Sequence, residues 1–93
     1  MSRLKALPWP AGNMDRNQIE RKVAEVLSTV LKRPLNAGSD IDRRNTPQWD
    51  SLKHVEIMFA LEEELGIEFS EDELAGLNSA AMIVDAVNGK YEA

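Results

Sequence analysis

The tripeptide Asp50-Ser51-Leu52 places a serine hydroxyl beside an acid at the expected start of an amphipathic helix. The first N–H groups of a helix lack intrahelical acceptors, and together with the helix macrodipole they favour a phosphate group there. Asp50 is suited to cap that first turn. No Gly-x-Ser-x-Gly motif surrounds Ser51, and the only histidine, His54, falls on the expected core side of the same helix, so a catalytic nucleophile is not predicted. Taken alone, the tripeptide is also compatible with a plain helix start.

The size and composition of the chain set the outer limits. Its 93 residues suffice for one domain and not for a second core. Aromatic residues make up 5% of the chain and β-branched runs are absent, which disfavours a sheet. Without cysteine the chain has no disulfide, thiolate metal site or thiol of its own. No apolar stretch is long enough to cross a bilayer, so we expect a monomeric, cytoplasmic protein that does not enter a membrane.

Charge is distributed unevenly along the chain. Residues 1–49 contain nine Lys/Arg and five Asp/Glu, whereas residues 50–93 contain two and eleven. Between Glu62 and Glu73 there are seven acids and no base. This half should repel nucleic-acid backbones and attract proteins with basic patches, although a merely solvated acidic surface would look the same.

Hydrophobic spacing predicts an all-α fold, a small antiparallel bundle of three main helices and one short helix. Residues 1–14 lack periodicity and are expected to be a flexible N-terminal leader, with a single domain over residues 15–91. The first helix should span about residues 16–31, with Asp15 as N-cap and Gln18 completing a capping box.

The remaining helix boundaries follow from caps and glycines. The second helix should begin at Asp50 and end at Leu65, because Gly66 suits a left-handed cap. A capping box from Ser70 to Glu73 should open the short third helix. This third helix is expected to end near Gly76-Leu77, and the fourth to begin after Asn78 or Ser79, bury Ala80, Ile83, Val84 and Val87, and stop at Asn88-Gly89.

A long connection joins the first two helices, over residues 32–49. Such a connection in a compact domain is usually functional or ordered by a few buried side chains, and Ile41 is the expected anchor. The Asp40-x-Asp42 pair does not make a calcium loop, because Arg44 occupies the third oxygen position and the required glycine is missing. No metal site is predicted.

The second helix has two apolar stripes on a wheel with about 100° per residue. One stripe, expected in the core, comprises Ile57, Met58, Leu61 and Leu65. The other is bordered by carboxylates, as a protein-docking surface would be, although its members could instead pack under the long connection. It comprises Leu52, Val55 and Phe59, with Glu56, Glu62 and Glu63 at its borders.

Taken together, these segments resemble the signature of acyl carrier proteins, from about Asp15 to Tyr91 and without gaps from Trp49 onward. The matching residues are Asp50-Ser51-Leu52, Val55-Glu56, Ala60-Leu61-Glu62-Glu63-Glu64, Gly66-Ile67 and the closing segment from Asn78-Ser79 to Asn88-Gly89.

The resemblance implies that a phosphopantetheinyl transferase joins 4′-phosphopantetheine to Ser51 through a phosphodiester. The arm would supply the thiol that the chain lacks and carry acyl groups as thioesters for fatty acid, polyketide or related biosynthesis. The protein would be a non-catalytic carrier whose partners, acyl-loading and acyl-processing enzymes, present basic patches. They would dock on Asp50, Leu52, Val55, Glu56, Phe59, Glu62 and Glu63.

The chain departs from the family pattern near Ser51. Gln48-Trp49 stands where a glycine is common, Arg43-Arg44 where acids are common, and Lys53 follows Leu52. These residues are expected to surround the site with basic and aromatic groups, which indicates a specialised, stand-alone carrier. Two alternatives remain at this stage, namely an aminoacyl or aryl carrier and an acidic helical protein that only docks partners.

Overall fold

The computed structural model describes residues 15–92, and the fold over this range is all-α, as predicted. Three longer helices, α1 (Arg16–Leu31), α2 (Ser51–Leu65) and α4 (Ala80–Glu92), are accompanied by a short α3 (Glu71–Gly76). No β-strand occurs in residues 15–92, and none of the helices in that range is both long and apolar enough to cross a membrane. The leader expected at residues 1–14 lies outside the described residues.

The predicted helix starts are confirmed by their caps. The Asp15 side chain accepts the Gln18 N–H at 2.9 Å, and the Gln18 side chain accepts the Asp15 N–H at 3.0 Å, which completes the capping box of α1. Ser70 and Glu73 form the same reciprocal pair at α3. At the end of α2, Gly66 has φ 65°, the left-handed cap that a glycine adopts most easily.

One helix end differs from its prediction. The stop expected at Asn88-Gly89 is wrong, because α4 continues to Glu92. The Tyr91 hydroxyl donates to the Leu65 carbonyl oxygen at 2.5 Å, so the last turn of α4 is fixed against the end of α2. A glycine inside a helix costs about 1 kcal/mol relative to alanine, which such a tertiary contact can offset.

The core lies where α1 packs against α2 and α4. The four residues predicted for the core stripe of α2 are all buried, as are those predicted for α4. The largest fully buried side chains are Trp49, Ile19, Leu27, Ile57, Met58, Leu61, Leu65, Ile83, Val23 and Val87.

Trp49 fixes the long connection. Ile41, the expected anchor, is only partly buried, whereas Trp49 is 2% exposed and belongs to the core cluster. The connection also contains a 3₁₀ turn, Arg43–Asn45. Beside that turn, an isolated antiparallel bridge pairs Asp42 with Ser79, which holds the connection against the segment between α3 and α4.

Candidate functional site

Ser51 is the first residue of α2, and its side chain is exposed to solvent. Asp50 adopts an extended conformation as the N-cap, and its carboxylate accepts the Lys53 N–H at 2.9 Å. The Asp50 carbonyl oxygen accepts the His54 N–H at 2.8 Å, so the first turn is firmly closed. The Ser51 hydroxyl is therefore presented at the positive end of a well-capped helix.

Arg43 reaches Ser51 from the long connection. One guanidinium nitrogen, Nη2, donates to Ser51 Oγ at 3.1 Å, and the other, Nη1, donates to Asn78 Oδ1 at 3.2 Å. The sequence predicts basic groups near Ser51, but neither this contact nor the participation of Asn78. Because the three residues come from different segments, local patterns contained no signal for it.

His54 has a structural position rather than a catalytic one. Its ring is buried, and its Nδ1 accepts the Trp49 indole N–H at 3.0 Å. Since Nδ1 is the acceptor, the ring proton is assigned to Nε2, which donates to the Leu74 carbonyl oxygen at 2.6 Å. The prediction that Trp49 places an aromatic group around the attachment site is wrong, because its side chain is buried in the core.

The second apolar stripe of α2 is exposed, as the helical wheel predicts. Leu52 is 67% exposed, Val55 47% and Phe59 59%, so none of them packs under the long connection. Exposed apolar side chains on consecutive turns of one helix form a surface suited to a protein partner.

The carboxylates beside this stripe are not equivalent. Glu63 is exposed, and Glu56 is exposed with a 3.5 Å ion pair to Lys53. Glu62 is only partly exposed, because its Oε2 accepts the Phe69 N–H at 2.9 Å and thereby holds the segment that follows α2. Glu56 and Glu63 are therefore the more accessible charges for a partner.

Most basic side chains near Ser51 have acidic partners. Arg44 pairs with Asp42 at 3.2 Å, and this side-chain hydrogen bond lowers the pKa of Asp42 and raises the pKa of Arg44. Lys53 pairs with Glu56. Both pairs are partly or fully open to solvent and add little stability, but they do neutralise two of the cations that depart from the family pattern.

Comparisons with known proteins indicate the family of the chain. Residues 21–87 match the family described as "Phosphopantetheine attachment site". The chain is 41% identical over 84 residues to an acyl carrier protein of Thermosynechococcus vestitus, covering 86% of this chain and 100% of the relative. It is 33% identical over 78 residues to an acyl carrier protein of Buchnera aphidicola subsp. Schizaphis graminum, covering 80% and 95%. An acyl carrier protein of Saccharopolyspora erythraea is 30% identical over 73 residues, with 77% of each chain covered.

The family match over residues 21–87, on an all-α fold, defines the class of the protein as a phosphopantetheine-binding carrier. The chain belongs to the acyl carrier protein family. Members carry covalently attached 4′-phosphopantetheine and are not enzymes.

The residues around Ser51 fit this group. The Ser51 hydroxyl is accessible for a phosphodiester link, the start of α2 favours a phosphate, and Arg43 supplies a cation within hydrogen-bond distance of Oγ. When bound, the group supplies the thiol that the cysteine-free chain lacks.

Proposed function

We propose that Ser51 is the attachment residue and that the protein carries acyl groups on its arm to biosynthetic enzymes of a fatty acid, polyketide or related specialised pathway. The observation that carries the proposal is the Ser51 hydroxyl, exposed on the first turn of α2 within the segment that matches the family. The names of all three relatives favour an acyl carrier over an aminoacyl or aryl carrier.

Intact-mass analysis tests the attachment residue. Incubation with coenzyme A and a phosphopantetheinyl transferase should add one phosphopantetheine unit to the wild type and nothing to Ser51→Ala. Ser70→Ala is the matched control, because Ser70 is also an exposed serine at a helix start but its Oγ accepts the Glu73 N–H. The assignment would be refuted if Ser51→Ala were still modified, or if Ser70→Ala were the only variant that failed to gain the phosphopantetheine unit.

The transferase and the acyl-loading and acyl-processing enzymes are proposed to dock on one surface of α2, which we call the docking face. Its exposed apolar side chains can be desolvated by a partner, while its carboxylates attract basic patches before contact. The docking face comprises Asp50, Leu52, Val55, Glu56, Phe59, Glu62 and Glu63. The docking face lies on the helix that begins at Ser51, which supports this proposal, because a partner bound to this face lies next to the attachment site.

Salt dependence separates the charged and apolar parts of the docking face. Glu56→Lys and Glu63→Lys should each slow Ser51 modification at low salt, and the penalty should shrink toward 1 M salt, where the screening length is about 3 Å. Val55→Asp should slow modification at every salt concentration, because it removes apolar contact area.

The control for these variants is Glu25→Lys, which makes the same charge change at an exposed position of α1. Glu25→Lys should leave modification nearly as fast as in the wild type. If Glu56→Lys and Glu63→Lys have no greater effect than Glu25→Lys at low salt, the partners dock elsewhere.

A further inference from the structure

Arg43 is a cation beside Ser51 that has no anionic partner within residues 15–92. Its guanidinium donates to Ser51 Oγ and Asn78 Oδ1, and both acceptors are neutral. Within residues 15–92 no carboxylate forms an ion pair with Arg43, whereas the neighbouring Arg44 and Lys53 both have one. A phosphodiester on Ser51 would bring a negative charge to the hydroxyl that Arg43 already contacts.

The position of Arg43 is fixed by its backbone. The Arg43 N–H donates to the Asn78 carbonyl oxygen at 2.8 Å, and the Thr46 hydroxyl donates to the Asp42 carbonyl oxygen at 2.8 Å. On the other side of the Asp42–Ser79 bridge, the Ala80 N–H donates to the Ile41 carbonyl oxygen at 2.9 Å. The side chain is partly buried and held by Asn78, so little further side-chain entropy is lost when it binds an anion.

We propose that Arg43 is a cofactor-positioning residue, which binds the phosphodiester of the group attached to Ser51. Guanidinium is suited to this role, because its remaining N–H donors match phosphate oxygens and hydrogen bonds between ions are about twice as strong as neutral ones. Attachment then strengthens the existing link from the start of α2, through Arg43 and Asn78, to the segment between α3 and α4. This inference rests on Ser51 being the attachment residue.

The consequence is a modified form that is more stable than the unmodified one, by an amount that depends on Arg43. The test compares the melting temperatures of both forms in the wild type, Arg43→Gln, Arg43→Lys and Arg44→Gln, with intact mass confirming each modification. Arg44→Gln is the matched control. It removes the same charge from the next residue along the chain, whose guanidinium pairs with Asp42. For each variant, the melting temperature of the unmodified form is subtracted from that of the modified form. This difference cancels any effect of the substitution on the stability of the unmodified fold.

The wild type and Arg44→Gln should show the same rise in melting temperature on modification. Arg43→Gln should lose more than half of that rise, and Arg43→Lys should recover part of it, because lysine retains the charge without the planar fork. The ³¹P chemical shift of the phosphodiester in the folded protein provides a second measurement. In Arg43→Gln it should move toward the value found in the urea-unfolded protein, whereas in Arg44→Gln it should remain at the wild-type value.

Three outcomes would count against the proposals, and they are distinguishable. If the wild type gains no mass, or Ser51→Ala still does, the attachment assignment fails. If mass is gained at Ser51 but modification does not raise the melting temperature, the phosphodiester does not strengthen the link that Arg43 makes, and the proposal fails. If Arg43→Gln and Arg44→Gln behave alike in melting and in ³¹P resonance, the phosphodiester is not held by Arg43.

Discussion

The buried hydrogen bond between Trp49 and His54 should contribute measurably to the stability of the fold. Trp49→Phe keeps an aromatic ring in the core but removes the indole N–H that His54 Nδ1 accepts at 3.0 Å. Leaving a buried acceptor unpartnered costs about 1–3 kcal/mol. Replacing indole by the smaller phenyl ring adds a packing loss of about 1 kcal/mol, a fraction of the cost of removing the whole side chain. We therefore expect a total loss of about 2–4 kcal/mol, a large share of the stability of a small domain.

Urea unfolding followed by far-ultraviolet circular dichroism measures this loss, and a double-mutant cycle isolates the hydrogen bond. His54→Leu removes the acceptor and leaves the Leu74 carbonyl oxygen unpaired, but that cost occurs in both variants that carry His54→Leu and cancels. The double variant should lose less than the sum of the single losses, with a coupling of at least about 0.5 kcal/mol. Additive losses would mean that the bond contributes no net stability, and a loss below about 0.5 kcal/mol in Trp49→Phe would refute the packing argument as well.

Two further predictions concern the core and the response to acid. Leu61 is fully buried, so Leu61→Ala should lower the free energy of unfolding in urea by about 2–5 kcal/mol. Glu63→Ala, at an exposed position, should change stability little or increase it by relieving like-charge repulsion. Similar losses from both variants would contradict the assignment of the two faces of α2. The pKa of Glu73 is lowered from its ordinary value of 4.5, first by the Ser70 backbone N–H and then by Lys90 at 2.9 Å. Because its folded-state pKa is lowered, the Glu73 carboxylate stabilises the fold above pH 4.5, and this contribution is lost as pH falls through the lower value. The stability advantage of the wild type over Glu73→Gln should therefore disappear in this acidic range. A difference in stability that is independent of pH would refute the linkage.

The helix starts could be predicted because their determinants are local. Asp15, Asp50 and Ser70 each accept an N–H from within the first turn of their own helix, so the capping pattern is contained in a few consecutive residues. The faces of α2 could be predicted for a similar reason, because the helical period places each side chain once the helix is assumed. The exposed stripe and the position of Ser51 follow from this local information.

The errors arose where contacts between distant residues determine the outcome. Gly89 has the local character of a helix end, but the contact of Tyr91 with the Leu65 carbonyl oxygen, 26 residues away, keeps α4 helical beyond it. Trp49 has no periodic neighbours in the long connection, so nothing in the sequence nearby distinguishes a core residue from a surface aromatic. The contact from Arg43 to Ser51 likewise depends on Asn78, 35 residues further along the chain.

The two parts of the long connection should differ in their tolerance of inserted sequence. At its first turn, residues 36–38 are exposed and closed by one hydrogen bond, from the Ser39 N–H to the Asn36 carbonyl oxygen at 3.0 Å. Extending an exposed turn costs little loop-closure entropy, so we expect a peptide tag or new chain termini between Ala37 and Gly38 to be tolerated at the cost of that bond. From Ile41 to Trp49 the backbone is fixed by the bridge to Ser79 and by the core. A label can therefore be placed in this connection, at its first turn, without altering the surroundings of Ser51.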